Sequence, residues 1–136
     1  MTPIFLDTSA FVALADRSDT QHGPAKRLLR SLGRQRRALL TSTYVIDEVL
    51  TLLRMHVSHA TAVAVGEGLL RTHWCRVVDV SEDTRTAAWQ LFVRYADQLF
   101  SFTDCTSFAL MRAMKIDEAF TFDRRDFGAA GFVALP

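Results

Sequence analysis

Three apolar residues and an acid lie near the start of the chain: Ile4-Phe5-Leu6-Asp7, with Thr8-Ser9 directly after them. The apolar run is too short for a helix and shows no polar alternation, so it predicts a strand buried on both faces. We expect Ser9 or Thr8 to cap a helix that runs through Leu14. A buried strand that leads at once into a helix is typical of an α/β domain.

The same alternation of short apolar runs and helical patterns continues along the chain. Four further runs predict strands, over residues 38–41, 76–79, 119–122 and 132–135. Helices are predicted between them, with Ser42 or Thr43, Ser58, Ser81 and Thr103 as N-caps, over residues 22–36, 44–55, 60–72, 81–97 and 104–114. Together they predict one α/β domain over residues 1–136, with a mostly parallel sheet of about five short strands covered by helices.

Composition excludes several classes of protein. Of the 136 residues, 49% are apolar, which is too many for a disordered chain. No charge-free stretch approaches the roughly 20 apolar residues of a membrane span, and no signal peptide is expected. Cys75 and Cys105 are too few for a disulfide framework. These features predict a cytoplasmic protein without a membrane partner.

The net charge of +1 hides an uneven distribution. Residues 20–46 contain six bases and no acid, whereas the rest of the chain has 10 bases against 15 acids. Arginine accounts for 14 of the 16 bases, and its planar guanidinium binds phosphate in a bidentate manner. The stretch is either a solvated helix face or a surface for a polyanion. Its candidate binding residues are Arg27, Arg30, Arg34, Arg36 and Arg37.

Several acids fall where a parallel sheet binds its ligands, outside the carboxyl ends of the strands. Asp7 ends the first predicted strand and Asp123 ends the fourth, with Asp126 three residues later. Asp104 lies in the first turn of its predicted helix. Each of them alone could serve as a helix cap or a turn residue.

Glu48 is the acid that an ordinary structural role explains least well. It lies on a helix face with Val45, Val49 and Leu52, where an ionised carboxylate is costly unless it is paired or bound to a cation. Asp47, its neighbour, shares its face with polar residues and is expected to face solvent. Clustered carboxylates repel each other unless a cation neutralises them, and hard oxygen ligands suit Mg²⁺ or Mn²⁺. Such ions polarise a phosphoryl oxygen, lower the pKa of bound water and stabilise the leaving oxygen, so the acids are consistent with chemistry at phosphorus.

Four segments in this order resemble the motifs of PIN domains, and they span almost the whole chain. They are Leu6-Asp7-Thr8-Ser9, residues 41–49 with Glu48, residues 102–111 with Asp104, and residues 119–127 with Asp123, followed by Gly131-Phe132. The most similar subgroup is the small VapC-type toxins of type II toxin–antitoxin modules. The resemblance implies a PIN-like three-layer α/β/α fold and an Mg²⁺- or Mn²⁺-dependent endoribonuclease that inhibits translation and growth.

The resemblance also implies roles for individual residues. Asp7, Glu48 and Asp104 match the three core acids of the family and Asp123 matches the fourth, so these four are the expected catalytic and metal-binding residues. Ser9 matches a small hydroxyl residue beside the site. Asp126 has no firm counterpart and is expected to support the ligands from outside. The Arg set is expected to bind RNA or an antitoxin.

The implied partners are an RNA substrate, a VapB-type antitoxin that blocks the cleft, a second copy of the chain in a homodimer, and operator DNA reached only through the antitoxin. The sequence does not say whether the RNA is transfer RNA, ribosomal RNA or message. Three alternatives stay open: a catalytically idle PIN-like domain that binds RNA or protein, a phosphoacceptor or phosphatase domain with Asp7 as nucleophile, and a DNA nuclease. The phosphatase type would need a second Asp where the chain has Ser9.

Overall fold

A computed structural model describes all residues from Met1 to Pro136. Its centre is one five-stranded sheet in which every neighbouring pair is parallel, with the strand order β3-β2-β1-β4-β5. The predicted parallel sheet of five short strands is therefore confirmed. The strands are β1 (Ile4–Leu6), β2 (Leu39–Ser42), β3 (Arg76–Val78), β4 (Glu118–Phe120) and β5 (Val133–Leu135).

Seven helices accompany the sheet, and six of them correspond to predicted ones. They are α1 (Thr8–Ala15), α2 (His22–Arg34), α3 (Thr43–His56), α4 (His59–Thr72), α5 (Glu82–Arg94), α6 (Phe102–Ala113) and α7 (Arg124–Ala129). The short α7 was not predicted, because six residues are too few to show helical periodicity. None of the helices combines the length and the apolar character that a membrane crossing requires.

The caps of two helices differ from the prediction. Asp7, rather than Ser9 or Thr8, precedes α1, because the Ser9 hydroxyl is directed to the Asp7 carboxylate. Ser101, rather than Thr103, caps α6, and the Asp104 side chain accepts a hydrogen bond from the Ser101 N–H in return. This reciprocal pair satisfies two free backbone donors and starts the helix two residues earlier than predicted.

Strand β1 positions the functional end of the molecule. All of its side chains are fully buried, and its neighbours are β2 on one side and β4 on the other. The chain passes from β1 to β2 in one direction and later returns to β4 in the other, so the sheet has its topological switch point between β1 and β4. Ligands of open α/β sheets bind in the crevice at that point. The segments that begin at Asp7 and Thr121 form the rim of this crevice.

Candidate metal centre

A cavity of about 540 Å³ opens at the carboxyl ends of β1 and β4. Its walls come from α1, α3, the start of α6 and the segment after β4. The four acids that were predicted to be catalytic line it: Asp7, Glu48, Asp104 and Asp123. Asp126, predicted to support them, does not line it. The topology therefore brings together residues that lie up to 116 positions apart in the chain.

Asp7 is the most buried of the four acids, with only 5% of its surface exposed. Its Oδ2 atom accepts hydrogen bonds from Ser9 Oγ at 2.9 Å and from Thr121 Oγ1 at 2.8 Å. Burial raises the pKa of Asp7, while these hydroxyl groups and nearby backbone N–H groups lower it. Burial thus destabilises the ionised form of Asp7, and the hydrogen bonds stabilise it only in part. A bound cation would supply the remaining stabilisation.

Asp104 faces the same cavity from the first turn of α6. Burial raises the pKa of Asp104 from 3.8 to about 7, and the negative charges of Asp7 and Asp123 add to this effect. The hydrogen bond from the Ser101 N–H opposes the rise without cancelling it. A positive charge beside such a carboxyl group lowers its pKa, so the group becomes ionised at neutral pH.

Asp123 and Asp126 complete a cluster with Asp104. One carboxylate oxygen from each of the three lies within 4.8 Å of the others, close enough to share one cation. Burial raises the pKa of Asp123 to about 6, and Asp126 is the next largest cause. The short helix α7 places Asp126 beside Asp123, where its carboxylate lies close to those of Asp104 and Asp123 without lining the cavity.

Glu48 and Asp47 differ as the helical pattern predicted. Glu48 is half-buried and lines the cavity, between the buried Val45 and Val49 on the inner face of α3. Asp47 is exposed, about 100° around the same helix from Glu48. Glu48 is outside the group formed by Asp104, Asp123 and Asp126, so it approaches the cavity from another wall.

The donor set fits a hard divalent cation. The charged residues that line the cavity are all carboxylates, since Asp19 joins the four predicted acids there, and no Lys or Arg lines it to neutralise them. Burial raises the pKa values of Asp7, Asp104 and Asp123, and neighbouring carboxylates add to the rise at Asp104 and Asp123; a bound cation would relieve both effects. Oxygen ligands in this number suit Mg²⁺ or Mn²⁺ rather than a soft metal.

The predicted basic set does not form one surface. Arg27, Arg30 and Arg34 are exposed on α2, and Arg36 follows the helix with a left-handed φ of 54°. Arg37 instead donates to Glu118 Oε1 at 2.8 Å, with only 11% of its side chain exposed. Glu118 begins β4, so this ion pair lies at the edge of the sheet opposite the acids. Arg37 is engaged there and does not belong to the candidate RNA-binding set.

Two residues of the site were missed by sequence reasoning. Thr121 donates to Asp7, and Ser101 fixes the backbone that carries Asp104. Both are hydroxyl residues within three positions of an acid, which is a weak signal because such residues also form ordinary turns and caps. Ser9 was predicted beside the site, and its hydrogen bond to Asp7 agrees with that expectation.

The raised pKa values predict how the metal-free protein responds to pH. Because Asp104 binds its proton more tightly in the folded state than in the unfolded state, stability should fall as pH rises from about 4 to about 7. In EDTA at pH 7.5, Asp104→Asn should therefore have a higher free energy of unfolding than the wild type, by up to roughly 4 kcal/mol before solvent screening. It should accordingly unfold at a higher temperature. Mn²⁺ should stabilise the wild type more than the variant. Thermal unfolding measures both effects, and an Asp104→Asn protein that is less stable in EDTA at pH 7.5 would contradict the assigned desolvation.

A parallel α/β domain with carboxylates gathered at its topological switch point defines a recognisable class of proteins. Residues 4–133 match the PIN domain family, and the chain belongs to this family. The predicted PIN-like α/β/α fold is thereby confirmed.

Known proteins of this class include close and distant relatives. The chain is 43% identical over 132 residues, 97% of both proteins, to the 23S rRNA-specific endonuclease VapC20 of Mycobacterium tuberculosis. A crystal structure of Mycobacterium tuberculosis VapC20, described as a sarcin–ricin loop cleaving toxin, superposes with a TM-score of 0.85 at 41% identity and covers 96% of each chain.

More distant structures share the fold alone. FitAcB from Neisseria gonorrhoeae matches at 15% identity and a TM-score of 0.72, covering 98% of this chain and 96% of that one. DNA-bound VapBC from Salmonella typhimurium matches at 16% identity and a TM-score of 0.69, covering 99% and 98%.

Proposed function

We propose that this protein is a divalent-cation-dependent endoribonuclease and the toxin of a VapBC-type module. The observation that carries the proposal is the convergence of Asp7, Glu48, Asp104 and Asp123 on one cavity at the switch point of a PIN domain. The similarity of this chain to a ribosomal RNA endonuclease, over 97% of both proteins, supports the same activity. The phosphoacceptor and DNA nuclease alternatives have no comparable support.

The four acids would hold Mg²⁺ or Mn²⁺, and Asp126 would join them through its place beside Asp104 and Asp123. When bound, such an ion polarises a phosphoryl oxygen, lowers the pKa of water and stabilises the leaving oxygen. The residues themselves prepare the site. Ser9 and Thr121 fix the orientation of the Asp7 carboxylate. Asp104, with its pKa near 7, is ready to lose its proton to a modest positive charge.

Ribosomal RNA is the proposed substrate class. VapC20, the relative with 43% identity, is named for its specificity for 23S rRNA, and its structure is described as that of a sarcin–ricin loop cleaving toxin. Purified protein with Mn²⁺ should cut intact 23S rRNA at one position, and EDTA should abolish the cut. Cleavage that persists in EDTA would contradict the cation dependence. Binding of RNA without cleavage at any Mn²⁺ concentration would favour the idle PIN-like domain instead.

The proposed partners are a VapB-type antitoxin, which would cover the acidic cavity and carry the complex to operator DNA, and a second copy of the chain. The toxin–antitoxin complexes among the structural neighbours support this only at the level of the fold. Large apolar side chains exposed on and after α5 also favour a protein contact, because monomers rarely expose such clusters: Trp89, Phe92, Val93 and Leu99. We place the proposed activity in the cytoplasm, where ribosomal RNA and operator DNA are found.

The exposed arginines of α2 are proposed to track RNA phosphates. Replacing Arg27, Arg30 and Arg34 together with Gln should flatten the dependence of log K on log salt by about 2, since each phosphate contact contributes roughly 0.7 for single strands. Fluorescence anisotropy with an RNA oligonucleotide measures the slope. Arg71, which pairs with Glu67 on α4, provides the control substitution. An unchanged slope in the triple variant would assign α2 to a solvated or antitoxin-facing surface.

A further inference from the structure

Thr121 lies directly after β4 and contacts both sides of the acidic site. Its side chain is fully buried. The Oγ1 atom donates to Asp7 Oδ2 at 2.8 Å and accepts from the backbone N–H of Asp123 at 3.0 Å. One hydroxyl group therefore joins the carboxylate at the end of β1 to the backbone that carries the acid before α7.

The chemistry of the hydroxyl group fixes the direction of these bonds. A hydroxyl has one proton and two lone pairs, whereas a backbone N–H can only donate. The Asp123 N–H therefore takes a lone pair of Thr121, and the Thr121 proton goes to Asp7 Oδ2 at 2.8 Å, a closer and negatively charged acceptor compared with Ser9 Oγ at 3.2 Å. Asp7 Oδ2 in turn can only accept when it is ionised, so both bonds agree on the same orientation.

Ser9 repeats the pattern with the preceding backbone amide, that of Phe122. Its Oγ atom accepts from the Phe122 N–H at 2.9 Å and donates to Asp7 Oδ2 at 2.9 Å. Two consecutive backbone amides, of Phe122 and Asp123, thus align two hydroxyl groups on one carboxylate oxygen. Both hydroxyl bonds fall on Oδ2, so Oδ1 is the oxygen of Asp7 that neither of them occupies.

We propose that Thr121 is a positioning residue of the cation site, which orients the Asp7 carboxylate so that Oδ1 is left for a divalent cation and holds the backbone that carries Asp123. The proposal rests on the proposed function, since a cation is what would join the two acids. Thr121 would affect a bound cation only through Asp7 and Asp123. It is fully buried and follows β4, the parallel neighbour of β1. Residues that orient metal ligands typically contribute 10- to 100-fold in metal affinity.

The test compares Mn²⁺ affinity, measured by isothermal titration calorimetry, among matched variants. Thr121→Val keeps the shape of the side chain and loses the hydroxyl, so it should bind Mn²⁺ at least about tenfold more weakly. Thr121→Ser restores the hydroxyl and should bind within about threefold of the wild type. Thr84→Val removes another buried hydroxyl, on α5 outside the site, and should bind as the wild type does. With RNA, kcat of Thr121→Val should fall while KM stays unchanged.

Two results would overturn the proposal while leaving the proposed function in place: wild-type Mn²⁺ affinity in Thr121→Val, or a Thr121→Ser protein that binds as weakly as Thr121→Val. Circular dichroism checks that each variant folds. If Thr121→Val does not fold, Thr121→Ala makes the same comparison without a second methyl group in the buried position. A wild-type protein that binds no Mn²⁺ would contradict the proposed function itself, and the positioning role with it.

Discussion

Asp7→Asn should reduce RNA cleavage by about 1,000-fold or more while the protein keeps its fold. Asp7 is the most buried acid of the site, and a neutral amide in its place removes a charged ligand without changing the size of the side chain. The amide oxygen can still accept the hydrogen bonds of Ser9 and Thr121, so local packing is preserved. Since burial raises the pKa of Asp7, the neutral residue should leave stability at neutral pH equal or higher in the absence of metal.

Two measurements check this prediction: single-turnover cleavage of 23S rRNA with Mn²⁺, and growth of cells that express the variant. The variant should also gain little thermal stability from Mn²⁺. Asp16→Asn is a suitable control, because Asp16 is an acid that follows α1, lies outside the cavity, and accepts side-chain hydrogen bonds only from Ser18. If Asp7→Asn cleaves RNA at the wild-type rate and still arrests growth, the assignment of the metal site is wrong.

Glu48→Gln should reduce cleavage by about 100-fold, whereas Asp47→Asn should change it less than twofold. The two acids are adjacent in sequence and belong to the same helix. Comparing the two variants therefore separates the effect of a side chain in the cavity from the effect of losing one negative charge nearby. Glu48 lines the cavity, whereas Asp47 is exposed and does not line it. Each substitution removes one negative charge and retains the length of the side chain.

Cleavage rates of both variants are measured at saturating and at limiting Mn²⁺. If Glu48 holds the cation, the loss in Glu48→Gln should be partly recovered at high Mn²⁺, because weaker binding is then compensated by concentration. Equal losses in the two variants would indicate a general effect of charge on RNA binding and would remove Glu48 from the site.

Much of the site could be predicted because parallel strands impose a common direction. Once residues 4–6 and 119–122 are interpreted as neighbouring parallel strands, Asp7 and Asp123 must emerge at the same edge of the sheet. Glu48 followed from helical periodicity, which separated it from Asp47. Asp104 followed from its place in the first turn of a helix, although the capping residue was Ser101 and not Thr103.

The basic stretch shows where this reasoning ends. Six bases without an acid indicate a positively charged segment. Whether each base forms an ion pair depends on which acids the fold brings next to it. Arg37 meets Glu118, 81 positions later in the chain, because β1 brings β2 and β4 to its two sides. Arg27, Arg30 and Arg34 remain exposed, since they lie on the outer face of α2.

By itself, the sequence determined the α/β class, the five short strands and the four candidate acids, two after strands and two on helices, because strand and helix periods are local properties. Only the tertiary structure decided which groups complete the site. Asp126 joins Asp104 and Asp123 through a helix too short to predict, and Thr121 reaches Asp7 across 114 positions. Hydrogen bonds of this kind depend on distances of a few tenths of an ångström between strands, which the packed sheet sets and no sequence pattern encodes.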